Sequence, residues 1–586
     1  MVNRDEVLVR TLIERAGRGE LSRRDLLQQA GALGGVAMFG GALAALLAAC
    51  GSSPDAPTAA AVAATAVTGA APTVVAAAAT AVTGGAPTVA AAATAISGGA
   101  AIRRGGSLSW AYTLIPTKLD PVWSSARTDQ LVLAQVIEGL VRNSRDSKIE
   151  AALSDKWTLS EDGLNYTFHL RPGVKFHNGK AVTPEDVIAS LERSRSMGTS
   201  KWTLAEVASM SKVDDATVKI TLTTKVASFL PRLATNPNAI FPKEEIDKVG
   251  KEEFSQPIGT GPFVVKEWVR NDKLTLDKNP NYWDLGTDGK PLPYLDQLVF
   301  KQVAESSTQV LQVQAGSLHG SEGIPWSQIP TLEKDTRGQL VILPQQQVFF
   351  MVLQLTKPPF DDLKVRQAMS LALDRKIFVD RATSGKAEIA NAFFPKSAPC
   401  WDANAKLPYD LEKAKQLITQ SKYPTGHTGA KLQLTSGGQT GRDNAVIAKD
   451  MWDKIGIKLT IEEVDGSSLS DNWYKDNFDV ISGYQWTNGM LDAEQHVQFF
   501  FVDPRMHTGW QPPQRATDLV KAASQELDAD KRCTMFAELQ NIYNDDVGGT
   551  ISLYYTPSVN YLGPDVKNFF RTPLGVPFYK ETWLAK

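Results

Sequence analysis

Apolar and polar side chains alternate along "NYTFHL", with Tyr166, Phe168 and Leu170 on one face, and again along "TVKITLTT" (Val218, Ile220, Leu222) and "IKLTIEEV" (Ile457, Leu459, Ile461). A period of two sends successive side chains to opposite faces of an extended chain, so each stretch is predicted as a half-buried strand. The period changes in "DDLKVRQAMSLALDRKIF", where Val365, Ala368, Met369, Ala372 and Leu373 fall on one face of a helix. Asp361 and Asp362 before it can accept hydrogen bonds from the free N–H groups of the first turn. "NAVIAKDMWDKIGIKLTIEEV" passes from helical to alternating spacing through Gly456. Such helix-then-strand units predict an α/β lobe with its sheet covered on both faces.

The first hundred residues follow neither period. "SRRDLL" (Ser22 to Leu27) is followed by the uncharged, Gly- and Ala-rich "AGALGGVAMFGGALAALLAA" (Ala30 to Ala49), whose end runs into "LAAC" (Leu47 to Cys50). This order resembles a twin-arginine export signal closed by a lipobox, with Cys50 as the acylated residue. Sec export is the alternative route, and an uncleaved span of weakly apolar alanines and glycines is the alternative structure. From residue 51 to 104 the chain is mostly Ala, Thr, Val, Gly and Pro with almost no charge, and "TAVTGAAPTVVAAAA" returns as "TAVTGGAPTVAAAA" and "TAISGG" at offsets of fifteen and fourteen residues. Units this short and this poor in large apolar side chains cannot bury a core, so the segment reads as a linker.

About 480 residues then remain for the folded part of the 586-residue chain, which is 43% hydrophobic and carries a net charge of -2. No large basic field is present, which excludes nucleic acid as an expected partner. Cys50, Cys400 and Cys533 fit neither a disulfide framework nor a zinc site, and Cys400 and Cys533 are expected as separate apolar side chains. No G-x-S-x-G elbow and no H-E-x-x-H helix occurs. "GTGPFV" has Val264 where a dinucleotide loop needs Gly, and "GVKFHNGK" has Ala181 after it where a phosphate loop needs Ser or Thr, so "FHNGK" reads as a turn. The six histidines show no paired ligand spacing. No catalytic residue, cofactor or metal is expected.

Thirteen tryptophans change the picture, because several stand in polar, loop-like sequence: Trp123, Trp202, Trp326, Trp473, Trp486 and Trp510. Together they suit a cleft of rigid apolar faces with polar groups between them, as ligand pockets commonly are.

"LDP" (Leu119 to Pro121), "EGL" (Glu138 to Leu140), "DKWTLSEDGLNYTFHLRPGVKFHNGKAVTPEDV", "PIGTGPFVVKEW", "LDKNPNYW", "LQVQAGSLHG", "PPFDDLKVRQAMSLALDRK" and "YDLEKAKQLI" occur in this order. The series resembles the extracytoplasmic solute-binding proteins of family 5, the oligopeptide, dipeptide and nickel group of ATP-binding-cassette importers. The resemblance implies an α/β, two-lobed periplasmic-binding-protein clamp (type II-like, cluster C) with an extra inserted domain. Lobe I would comprise 105–146, 256–346 and 551–586, the inserted domain 147–255 and lobe II 347–550, with a hinge near Gln346 and Thr550. It further implies a monomer that closes on a solute and presents it to permease subunits outside the cytoplasm, on the outer face of the membrane or in a periplasm, held there through Cys50.

The site is carried over residue by residue. Peptide-binding members hold the peptide ammonium with an aspartate shortly after a tryptophan; in "FDVISGYQWTNGMLDAEQ" that position falls on Asn488 or Gly489, neither acidic. A family aromatic falls near Gly466, and His319 stands near a customary acid in "AGSLHGSEGIPW". The ligand-binding residues expected are Trp123, Ser125, Trp202, Glu322, Tyr484, Trp486, Asn488 and Tyr555, with Asp492 or Glu322 available to an amine. A peptide or peptide-like solute is the first expectation. An oligosaccharide on the same scaffold is the second, since aromatic faces with Asn488, Gln485 and Ser125 suit neutral polyols. A sensory or chaperone-like binding protein and an extracytoplasmic hydrolase follow.

Overall fold

The computed structural model describes residues 101–586 apart from 125, 199, 345–346, 397, 437, 488 and 504–507, and of 484–487 it describes the backbone alone. Cys50 and residues 51–100 of the expected linker lie outside the described residues, as do Ser125 and Asn488, whereas Arg104, expected at the linker's end, is tied to the folded part by an ion pair with Asp288 at 2.8 Å.

The alternating segments are strands. Asn165–Leu170 and Thr217–Leu222 bury every second side chain and pair antiparallel in a four-stranded sheet ordered Ser154–Leu159, Asn165–Leu170, Thr217–Leu222, Val207–Asp214. Its inner face packs Tyr166, Phe168, Val218 and Ile220 against Val187 and Leu191 of the helix Pro184–Ser196. That helix starts at a capping box in which Thr183 and Asp186 satisfy each other's backbone N–H groups. "FHNGK" is the turn anticipated: the Phe176 N–H donates to the Lys180 carbonyl at 2.8 Å, and Gly179 supplies the positive φ of 86°.

Two larger sheets form the lobes. The first has seven strands, ordered Gln339–Leu343, Ser558–Leu562, Gly320–Glu322, Ser107–Tyr112, Gln297–Gln302, Lys273–Lys278, Phe263–Val269. The second has six, ordered Glu388–Ile389, Thr550–Tyr555, Gln347–Leu353, Val480–Thr487, His427–Thr435, Ile457–Val464. Alternate residues of the central strand Gln347–Leu353 enter two cores: Phe349, Met351 and Leu353 meet Val365, Met369 and Trp452, while Val348, Phe350 and Val352 share a core with Leu519, Phe536 and Tyr543. A sheet buried on both faces accounts for that nearly continuous apolar run.

Three expectations are corrected. The helical stretch after Asp362 is two helices, Leu363–Leu371 and Arg375–Ala382, because Asp374 offers a second N-cap and accepts from the Lys376 N–H. Residues 551–555, expected with the first lobe, pair with Gln347–Leu353 in the second, so the chain returns between sheets after Tyr555, where the Thr556 N–H donates to the Gln347 carbonyl at 3.0 Å. Cys400 and Cys533 form a disulfide, with their Cα atoms 4.6 Å apart across a sequence separation of 133 residues.

Among the described residues no helix is long and apolar enough to cross a membrane.

Candidate functional site

The segment after "LDP" builds one wall of a cavity. Asp129 is buried and accepts from the Thr117 N–H (2.9 Å) and the Ser124 hydroxyl, which fixes the loop against the helix Arg127–Leu133. Leu131, Val132 and Leu133 enter the first-lobe core, whereas Arg127, Gln130 and Ala134 line the cavity. Gln130 donates to the Ser124 carbonyl at 2.6 Å, and Asn236 of the smaller domain donates to the Gln130 carbonyl at 2.7 Å. The cavity holds about 390 Å³ and takes its lining from three parts of the molecule: Arg127, Glu138, Arg142 and Lys580 from the first lobe, Trp202 and Asn236 from the small domain, and Gly489, Met490 and Gln495 from the second lobe.

The charged groups in the wall are mostly engaged. Glu138 accepts from the Tyr282 hydroxyl (2.8 Å), the Trp283 indole N–H (2.9 Å) and the Thr260 hydroxyl (3.0 Å). Arg142 donates to Glu150 at 2.7 Å and to Asp284 at 2.8 Å, and Lys580 donates to Asp284 at 2.7 Å. Burial disfavours the Arg142 charge, but the carboxylates of Asp284, Glu138 and Glu150 outweigh it and raise its pKa. Burial also drives the Tyr282 phenol up, with Glu138 adding to it, so the phenol stays protonated as a donor.

Of the residues singled out from sequence, Trp202 lines the cavity with 37% of its surface exposed and the Arg232 guanidinium 5.4 Å from its ring centre. Trp123 is half-buried outside the lining, and its indole N–H has no hydrogen-bond partner among the described residues. Tyr555 is buried in the second-lobe core: its hydroxyl donates to Asn391 at 2.6 Å and accepts from Trp401 at 3.0 Å, and burial pushes its pKa up to about 12. Tyr484 and Trp486 lie on the strand Val480–Thr487 that leads to Gly489, with their side chains outside the described set. His319 is tied to the edge of the strand Ser107–Tyr112, its Nδ1 accepting from the Ser109 N–H at 3.0 Å.

Both carboxylates considered for an amine are claimed by arginines. Glu322 pairs with the buried Arg571 and stands 4.0 Å from Arg127. Asp492 receives two bonds from Arg532, at 2.6 and 2.7 Å, and a third from the Glu494 N–H at 2.7 Å. Sequence reasoning missed Arg127, Glu138, Arg142 and Lys580. The signals were slight: Arg127 stands four residues after Trp123, and Glu138 belongs to the "EGL" stretch read as scaffold.

Comparison with known proteins bears on this geometry. The family model described as "Bacterial extracellular solute-binding proteins, family 5 Middle" matches residues 148–507. The glutathione-binding protein GsiB of Salmonella typhi is 31% identical over 352 residues, covering 60% of this chain and 68% of that protein. The periplasmic binding protein DppA of Helicobacter pylori, solved with the peptide STSA, superposes with a TM-score of 0.72 at 25% identity over 83% of this chain and 99% of that one. The oligopeptide-binding protein AppA of Bacillus subtilis, solved with a nonapeptide, shares the fold with a TM-score of 0.70 at 23% identity over 83% of this chain and 100% of that one.

Proposed function

The chain belongs to the bacterial extracellular solute-binding proteins, family 5, and from that premise we propose that it captures a peptide or peptide-like solute between its lobes and delivers it to the permease of an ATP-binding-cassette importer. One observation carries the reading: a cavity of about 390 Å³ whose walls come from both large lobes and the small domain. A solute touching all three parts favours the arrangement in which they are together, which is how ligand contacts bias a hinged clamp toward closure. The relatives' ligands, glutathione and short peptides, set the size class.

In this reading the first lobe is 105–146, 256–346 and the C-terminal segment, the inserted domain is 147–255, and the second lobe starts at 347. The hinge lies near Gln346 and at 556–557, where the chain returns between the sheets after Tyr555. The protein acts as a monomer outside the cytoplasm, exported by its N-terminal signal, held to the membrane through acylated Cys50 and given reach by the 51–104 linker. Trp202 and Trp486 supply the apolar faces of the site.

A thermal-shift screen of purified protein with glutathione and di- to pentapeptides, set against cello- and xylo-oligosaccharides, tests the function. A ligand that binds the native state alone raises the melting temperature. A shift with the peptide class is expected. A shift with sugars and none with peptides overturns the peptide reading in favour of the saccharide one, and silence from both classes overturns both.

A further inference from the structure

The three cations in the cavity wall are not equivalent. Arg142 is bonded to Glu150 and Asp284, and Lys580 to Asp284. Arg127 has no hydrogen bond from its guanidinium to any described residue. Its nearest acid, Glu322, is 4.0 Å away, beyond hydrogen-bond reach, and is already held by Arg571, whose side chain is wholly buried. One carboxylate shared by two guanidiniums leaves one positive charge uncompensated, and it lies at the cavity surface, where the Arg127 side chain keeps 38% of its exposure.

It also lies against the backbone of a glycine. A Cβ on Gly575 would lie 2.7 Å from one terminal nitrogen of Arg127 and 2.8 Å from the other, so the guanidinium is seated where only glycine leaves room. Gly575 can be glycine at no conformational cost, because its φ is 78°. The planar fork stands at the cavity wall with no hydrogen-bond partner among the described residues, and a fork of this kind matches a carboxylate with two parallel N–H···O bonds. Nothing in the wall matches a cation as well: Glu138 already accepts three hydrogen bonds, and Gln130, Asn236 and Gln495 are neutral.

We propose that Arg127 is the anion-recognising residue of this cavity and that the solute presents a carboxylate to it, so that acidic peptide-like solutes are selected over their uncharged counterparts. The inference rests on the peptide reading of the site and adds the charge of the end it selects.

The test measures, by calorimetry, binding of glutathione and trialanine beside glutathione diethyl ester and trialanine amide, to the wild type and to Arg127→Met and Arg127→Lys. The wild type is expected to prefer the free carboxylates by roughly 10- to 100-fold, the worth of a charge-assisted pair. Arg127→Met should lose that preference while binding ester and amide as before, and Arg127→Lys should keep part of it. Peptide binding in which the wild type shows no preference, or Arg127→Met keeps it, overturns the proposal and leaves the receptor reading standing. Absence of peptide binding to the wild type overturns both. Displacement of the peptides by inorganic phosphate, with no preference for free carboxylates, assigns Arg127 to a phosphoryl group and overturns the carboxylate. Should Arg127→Met fail to fold by its melting curve, Arg127→Gln reads the same preference.

Discussion

Arg232 of the small domain and Glu494 of the second lobe form an ion pair with a separation of 3.0 Å, and both side chains are almost wholly buried, at 5% and 2% exposure. Ser228 joins them, donating to the other Glu494 oxygen and accepting from the Arg232 Nε–H at 2.9 Å, while a second Arg232 nitrogen donates to Glu206 at 2.8 Å. The Ala227 N–H adds a backbone bond to the Ser524 carbonyl at 2.9 Å. Removing one partner of a buried pair strands the other, at a cost of about 3–5 kcal/mol, unless the site opens to water. Glu494→Leu is therefore expected to lower the melting temperature or to enlarge the molecule in small-angle scattering, and Arg232→Met with Glu494→Leu should recover part of the loss. A single variant with unchanged melting and dimensions would show that the pair does not hold these parts together.

The Cys400–Cys533 bridge ties the loop that carries Trp401 to the helix Ala529–Asp546. Closing a loop of 133 residues removes much of the unfolded chain's freedom, which on the chain-entropy model contributes about 4–5 kcal/mol. An extracytoplasmic compartment lets such a bridge persist. Cys533→Ser should melt several degrees lower than the wild type under oxidising conditions and equal it under reducing ones. Equal melting in both conditions would mean the cross-link adds nothing.

How far the sequence could be read follows from the range of each signal. Strands such as Asn165–Leu170 were legible because a period of two is local and one-sided burial enforces it. The break before Asp374 was not, since the apolar stripe runs on through Leu373 and only the capping bond shows where the second helix starts. The disulfide left no trace because its partners are far apart with no spacing rule between them. At the site, an indole in polar sequence led to Trp202, yet the same criterion chose Trp123, which lies outside the lining. The wall charges escaped notice because Arg142, Asp284 and Lys580 meet only in the fold, across more than four hundred residues of chain. Glu322 and Asp492 looked free because their arginines, Arg571 and Arg532, are remote in sequence.

The proposed anchoring rests on one thiol, that of Cys50. Two acyl chains hold a protein in a bilayer where a single one is marginal, and a lipobox cysteine carries diacylglycerol. Wild-type cells fed labelled palmitate should yield labelled protein in the membrane fraction, and Cys50→Ser should yield none. A labelled Cys50→Ser variant would remove Cys50 as the anchor.

Trp202 presents an aromatic face to the cavity while its backbone carbonyl accepts from Arg232 at 3.3 Å, so the ring stands beside the buried Arg232–Glu494 contact. Truncating a stacking aromatic in a binding site costs roughly 1–3 kcal/mol of affinity. Trp202→Ala and Trp486→Ala are each expected to weaken peptide binding by that amount in calorimetry, with the unliganded melting temperature nearly unchanged for the half-exposed Trp202. Unaltered affinity in either variant would take that ring out of the site.

Two imidazoles depressed by burial, His496 and His177, should make the fold acid-sensitive, and the first can be tested alone. His496 is wholly buried, packs edge-on to Phe394 at 5.6 Å between ring centres, and has no hydrogen-bond partner at either ring nitrogen among the described residues. Burial alone lowers its pKa to about 3, against roughly 6.5 for an unfolded histidine. Between those values the unfolded chain binds a proton that the native one refuses, so native stability falls as the pH drops through the window and is unaffected by this group above it. From pH 7 to pH 5 the loss is about 2 kcal/mol for one such group. His496→Phe should fit the aromatic surroundings and remove that loss, so its melting temperature should gain on the wild type steadily as the pH falls. His177, lowered to about 4 by burial against its bond to the Gly261 carbonyl, contributes equally to both proteins and cancels in the comparison. Parallel melting profiles from pH 7 to pH 5 would show that His496 is not the group responsible.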